Sequence, residues 1–382
     1  MQFTSKFPNA ETTIFSIMTE LAERLQALNL SQGFPDFLPP QALLDAFQNV
    51  PNELHQYASG IGIPALRQQV AKQFQDLHHT TFDANSEVTI TAGATIAIFS
   101  AIQAMVHADE EVIVFDPSYD TYAPSIKMAG AKSVHIALQA PNFQVDWQQV
   151  KDAINPKTRM IIINTPHNPT GTMWSKQDWL NLIDIVKDTN IVLVSDEVYE
   201  HLVFDGAIHY SVMDFPELRE RAFAIGSFGK TFHVTGWRTG YCVANQKLMR
   251  EFRQVLQNAS FCAVHPCQVA LAQFMQQQPQ HVLELGQFYQ QKRDFFLDGI
   301  KDSRFSAQPS QGTYFQLLDY SAIRDDLNDT DMCQWLAEQY KIVSIPISVF
   351  YQQAPKDLRY LRFCFAKKET TLQQAIDILN QC

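Results

Sequence analysis

Ala222-Phe223-Ala224-Ile225-Gly226-Ser227-Phe228-Gly229-Lys230 is an apolar run that stops abruptly in a serine and a lysine, with Gly236-Trp237-Arg238 close behind. Short runs of this kind read as strands buried on both faces of a parallel sheet. Four more runs share the pattern. Glu87-Val88-Thr89-Ile90 leads into Thr91-Ala92-Gly93-Ala94-Thr95, and Val112-Ile113-Val114-Phe115 into Asp116-Pro117-Ser118-Tyr119. Met160-Ile161-Ile162-Ile163 leads into Asn164-Thr165-Pro166-His167-Asn168-Pro169, and Ile191-Val192-Leu193-Val194 into Ser195-Asp196-Glu197-Val198-Tyr199. Amphipathic stretches at 66–74 and 179–187 lie between the runs, so the alternation predicts βαβ units and a mostly parallel central sheet flanked by helices over 41–270. In such α/β sheets a ligand sits outside the carboxyl ends of the strands, so the polar residues that end the five runs are expected to meet.

The flanks read differently. Residues 1–40 hold a helical pattern at 19–25 and then a turn, Ser31-Gln32-Gly33-Phe34-Pro35-Asp36-Phe37 with Pro39-Pro40, which reads as a loop near a site. Beyond 270 a glutamine-rich helical region around Gln276-Gln277-Gln278 gives way to Gly312-Thr313-Tyr314-Phe315 and Leu361-Arg362-Phe363-Cys364-Phe365. This predicts a smaller α+β domain over 271–382, joined by the segment 1–40. A chain of 382 residues is long for one core, in keeping with two domains.

Bulk properties exclude more than they identify. A net charge of −11 disfavours nucleic acid and anionic membranes, both of which attract basic surfaces. No apolar run approaches the roughly 18 residues of a membrane helix, and Met1-Gln2-Phe3-Thr4-Ser5-Lys6 lacks the apolar core of a signal peptide. A cytoplasmic location is therefore expected. The six cysteines form no Cys-x-x-Cys pair and read as reduced thiols; Cys262-Ala263-Val264-His265-Pro266-Cys267 is too sparse a ligand set for zinc, so no metal is expected.

A strand end that offers a serine, a lysine and then an arginine can hold a phosphate beside a reactive amine, which is the outline of a pyridoxal phosphate site. That cofactor is an electron sink, and a protein must anchor it, protonate its ring nitrogen and supply an amine. Lys230 is the candidate amine and proton carrier. Asp196 is the partner for the ring nitrogen, although Ser195-Asp196-Glu197 reads equally as a helix cap. Tyr199 and Asn168 are candidate donors to the phenolic oxygen; Asn168 also fits an ordinary Asn-Pro turn. Gly93, Ala94 and Thr95 open a helical pattern whose free N–H groups suit a phosphate, and Ser227 with the fork of Arg238 would complete the cradle. Tyr119 is placed against the ring face, or else is a core aromatic.

In this order, these residues resemble the class I and II aminotransferases, which share the aspartate aminotransferase fold (fold type I). The resemblance spans residues 10–382 and is nearest to the branch that includes bacterial methionine aminotransferase and the kynurenine or glutamine transaminases, through the Ser31–Phe37, Asn164–Pro169, Ser195–Tyr199 and Gly226–Lys230 segments and Leu361-Arg362-Phe363-Cys364-Phe365-Ala366-Lys367-Lys368. The resemblance implies that Arg362 grips the substrate α-carboxylate with help from Asn168 and the backbone at Gly33; read alone, Arg362 in an alternating run could face solvent. It also implies a homodimer in which Tyr57 reaches the neighbouring subunit's phosphate.

Enzymes of this fold that take dicarboxylic amino acids often carry a second arginine, and no obvious candidate for it is present. With an uncharged segment at 258–264 and Phe15, Phe34 and Tyr57 as apolar wall, the expected reaction is ping-pong transamination between a 2-oxo acid and an apolar or aromatic amino acid: methionine first, then phenylalanine, tyrosine, kynurenine or glutamine. One rival is a carbon-sulfur β-lyase, which would release ammonia and pyruvate from a cysteine conjugate with no oxo acid present. The other is a non-enzymatic pyridoxal-binding regulator, which needs a DNA-binding module ahead of residue 33.

Overall fold

The computed structural model describes residues 4–8 and 12–382. The chain divides into two compact units, one made of Phe37–Gln290 with Gln311–Thr313, the other of Met1–Asp36, Gln291–Ser310 and Tyr314–Cys382. The division falls at 290, whereas the change in sequence texture suggested 270. The glutamine-rich helix His265–Gln277 accounts for the difference, because it buries Cys267, Ala270, Leu271 and Phe274 within the larger unit and shows Gln273, Gln276 and Gln277 to solvent. Residues 1–3, on which the reading of the chain start partly rests, lie outside the described residues.

The larger unit is built on seven strands: β1 (Val88–Thr91), β2 (Glu111–Asp116), β3 (Lys132–Ala137), β4 (Thr158–Asn164), β5 (Val192–Asp196), β6 (Ala222–Ser227) and β7 (Gly240–Val243). Their order is β1-β7-β6-β5-β4-β2-β3, and every neighbouring pair is parallel except those made by β7. All five expected strands are present. β3 and β7 were not singled out in the sequence. β3 is partly open along its length, so it lacks the continuous apolar run of a buried strand, and β7 is only four residues, Gly240-Tyr241-Cys242-Val243.

Two helices pack apolar stripes on this sheet. Ile98, Ala101 and Ile102 of the helix Ala94–Met105 and Phe252 and Leu256 of the helix Gln246–Ala259 join Val112, Val114, Ile162, Val194 and Phe223 in one core. Local chemistry fixes the helix starts. Asn245 accepts from the Lys247 and Leu248 amides, and Ser175 with Asp178 forms a reciprocal capping box, each satisfying N–H groups that a helix start leaves unpaired.

The smaller unit holds an antiparallel sheet in which β10 (Tyr360–Cys364) lies between β8 (Phe315–Asp319) and β9 (Ile345–Pro346). A short parallel pair, Leu28–Asn29 with Ile342–Val343, ties the N-terminal segment to it. Among the described residues no helix is long and apolar enough to cross a membrane.

Candidate functional site

The carboxyl ends of β1, β4, β5 and β6 present the expected polar residues. β1 ends at Thr91, and Gly93 turns the chain at φ 91°, a left-handed conformation that glycine adopts without strain, into the helix Ala94–Met105. The Ala94 and Thr95 amides therefore lie in the first helical turn, where no intrahelical acceptor exists. A Cβ on Gly93 would stand 3.0 Å from Nη2 of Arg238, so the missing side chain leaves room for the guanidinium.

β7 delivers Arg238 to this place because it runs against its neighbours, so its start lies beside their ends. Gly240, the first residue of β7, pairs with Thr91 of β1 on one side and Ser227 of β6 on the other. After Ser227 a single helical turn, Phe228–Thr231, presents Lys230, whose Nζ is 5.7 Å from the centroid of the Tyr199 ring.

Asp196 is the last residue of β5 and is 4% exposed, so the helix-cap alternative does not describe it. Its Oδ2 accepts from the Tyr122 hydroxyl at 2.6 Å, and its Oδ1 from the Val198 amide at 3.4 Å. Burial raises the Asp196 carboxyl to about 6, against the opposing pull of the Tyr122 and Val198 hydrogen bonds and the Lys230 charge. Asn168 is buried, and its amide donates to Oδ1 of Asn164 at 2.8 Å, while Asn164 Nδ2 donates to the Asp196 carbonyl at 2.9 Å. Tyr119 meets the Tyr122 ring edge-on at 5.9 Å. Tyr57 stands apart, 82% exposed with its ring edge-on to Phe261 at 5.2 Å.

The family model for class I and II aminotransferases matches residues 26–379. The chain belongs to that family. It is 46% identical to methionine aminotransferase from Escherichia coli K12 over 99% of this chain and 97% of that one, and 34% identical to kynurenine–oxoglutarate transaminase 1 from Mus musculus over 93% and 92%. The crystal structure of YbdL from Escherichia coli, for which a methionine aminotransferase function has been identified, superposes with a TM-score of 0.97 at 45% identity, covering both chains completely. The expected fold type I architecture is thus the observed one.

Aminotransferases of this class depend on pyridoxal phosphate, and the larger unit fits that group. The glycine turn and helix start beside the Arg238 guanidinium suit a dianion, the Asp196 carboxylate suits a protonated ring nitrogen, and the Lys230 amine is near enough for its charge to act on Asp196.

The smaller unit of the aminotransferase carries the other expected residues. Arg362 is 1% exposed at the centre of β10, which removes the alternative of a solvent-facing arginine. Its Nη2 donates to the Ser31 carbonyl at 3.0 Å, and its guanidinium lies 3.9 Å from the Phe315 ring centroid and 5.5 Å from those of Phe15 and Phe350. The carbonyl of Gly33 accepts from the Tyr314 hydroxyl, and a Cβ on Gly33 would come 2.8 Å from Phe315.

Sequence reasoning missed Tyr122, Asn164 and a buried charge cluster behind the 195–201 segment. In that cluster His78 lies 3.0 Å from Asp214 and 3.7 Å from Glu200, His201 lies 3.5 Å from Glu200, and the Tyr241 hydroxyl donates to Glu200. Burial opposes the His78 imidazolium, but its hydrogen bonds to Asp214 and Glu200 raise its pKa to about 10. Burial likewise opposes the Glu200 carboxylate, yet its histidine neighbours and Tyr241 hold it down to about 2. Burial lowers the pKa of His201, so we assign the cation facing Glu200 to His78. The raised His78 value contributes stability that is complete below pH 6.5 and is lost as pH climbs through 10, whereas the Glu200 contribution is complete above 4.5 and lost as pH falls through 2. His78→Ala is expected to cost about 3–5 kcal/mol in urea unfolding at pH 6, by leaving Glu200 charged and buried, and to flatten the alkaline decline. An unchanged decline would remove His78 from this role.

Proposed function

We propose that this aminotransferase moves the amino group of methionine, and less efficiently of phenylalanine, tyrosine, kynurenine or glutamine, to a 2-oxo acid. The observation that carries the reading is the 46% identity to a methionine aminotransferase along nearly the whole chain. The surround of Arg362, made of the phenylalanine rings 15, 315 and 350, agrees with an apolar or aromatic donor.

Pyridoxal phosphate, when bound, supplies the electron sink that makes the substrate α-proton removable. Lys230 would hold the cofactor through its amine and, when free, would carry the substrate α-proton. Asp196 holds the proton on the ring nitrogen, and Tyr199 and Asn168 donate to the phenolic oxygen. The amides of Gly93, Ala94 and Thr95, the Ser227 hydroxyl and the Arg238 fork hold the phosphate, with Tyr119 on the ring face. Arg362 takes the α-carboxylate, assisted by Gly33 and Asn168, and Phe15 forms apolar wall.

We also place the enzyme in the cytoplasm as a homodimer, in which Tyr57 reaches the partner's phosphate. Six unpaired thiols favour a reducing compartment. Tyr57, Phe261 and Val264, all open to solvent, form an apolar surface suited to a second copy.

In a panel of donors and 2-oxo acids, kcat/KM for methionine is expected to exceed that for aspartate by about 10²-fold, an apolar side chain against an unpaired carboxylate, and the same preparation should scatter light as twice the mass of one chain. A preference for aspartate overturns the substrate reading.

A further inference from the structure

Asp196 is held at two levels. Its main chain is fixed by β5, where Asn164 sits in register with it and donates to its carbonyl, and where the Thr165 amide donates to the same carbonyl at 3.2 Å. Its side chain is fixed by Tyr122, the first residue of the helix Tyr122–Met128, which is 2% exposed. A buried tyrosine must place its hydroxyl against an acceptor, and most acceptors available in a core are backbone carbonyls. Here the acceptor is the carboxylate proposed to face the cofactor. The bond is a charge-assisted O–H···O⁻ contact at 2.6 Å, the stronger class of hydrogen bond.

The same ring touches a second proposed cofactor contact. Tyr122 meets Tyr119 edge-on and its amide donates to the Tyr119 carbonyl at 3.1 Å, so one residue bears on both the acid and the stacking ring. Burial, with the Asp196 charge beside it, drives the Tyr122 ionisation well above the ordinary range, so the phenol remains a donor at every working pH.

We propose that Tyr122 is a positioning residue whose hydroxyl fixes the orientation and the charge of the Asp196 carboxylate, and through it the proton on the cofactor's ring nitrogen. The proposal rests on the reading of Asp196 as the ring-nitrogen partner. With the donor gone, the carboxylate is less stabilised and holds the ring-nitrogen proton less firmly. A ring nitrogen with less positive charge withdraws less from the lysine-linked nitrogen, which then keeps its own proton to higher pH.

The test compares wild type, Tyr122→Phe and a 3-fluorotyrosine substitution at position 122, all as holoenzyme, with apoprotein melting as a control for folding. Tyr122→Phe keeps the ring and its packing, and is expected to raise the dissociation constant for pyridoxal phosphate about tenfold. It should also move the pH midpoint of the bound cofactor's visible band upward by about one unit, with the fluorinated, stronger donor moving it the other way. An unchanged midpoint and affinity overturn the proposal, as does a lower melting temperature with an unchanged midpoint, which leaves Tyr122 a packing residue alone. Borohydride reduction of the wild type separates the two levels: if no label forms at Lys230, the site reading itself fails and this proposal with it.

Discussion

Lys230→Ala is expected to lower the rate of transamination by about 10⁴-fold or more, since it removes both the covalent anchor and the proton carrier. The reasons are local. The side chain springs from a single helical turn directly after β6, its nitrogen stands over the Tyr199 ring, and its charge acts on Asp196. No neighbouring amine is fixed in this way by the strand ends described above. Phosphate contacts would survive the change, so the variant should still bind pyridoxal phosphate, weakly and without the visible band of the covalent form. Lys230→Arg keeps the positive charge but not a reactive amine, and separates the role of charge from the role of bonding. Borohydride treatment of the wild type followed by peptide sequencing should place the label at position 230; a label on another lysine ends the assignment.

The second large effect is expected at Arg362. Arg362→Lys should raise KM for amino donors by about 10²-fold, close to 2.7 kcal/mol, while affinity for pyridoxal phosphate stays as in the wild type. β10 is the middle strand of its sheet, and Arg362 is paired there with Leu317 and Ile345 on its two sides. The planar guanidinium lies 3.9 Å from the Phe315 centroid, a contact that an ammonium makes less well, and Nη2 is held by the Ser31 carbonyl. A lysine keeps the charge but loses the fork that grips both oxygens of a carboxylate. Steady-state kinetics over a donor series decide the matter: an equal KM in variant and wild type places the carboxylate elsewhere.

Much of the larger unit was legible because its strands are doubly buried and therefore written as uninterrupted apolar runs. Ser227, Lys230, Asp196 and Gly93 were visible for the same reason, each marking the point where such a run breaks into polarity. Tyr122 escaped because it lies on a helix three residues past Tyr119, where an aromatic reads as core. Its signal was the spacing of two tyrosines after a strand that stops at Asp116. The cluster around Glu200 escaped for a different reason. Carboxylates in a short polar segment read as solvated, and the residues that make them tolerable in the interior are remote, with His78 and Asp214 lying 136 positions apart. Arg362 shows the limit of alternation as a guide: β10 is covered on both faces, so a charged residue in it is as buried as its apolar neighbours.

The reversed direction of β7 has a kinetic corollary. Gly240 joins Thr91 to Ser227, so the ends of β1 and β6 are brought together only when a segment near residue 240 has threaded between two strands made earlier in the chain. Such distant closures are late events in assembly, because a large loop entropy must be overcome first. Cofactor phosphate held there as proposed would stabilise only chains whose central sheet is already finished.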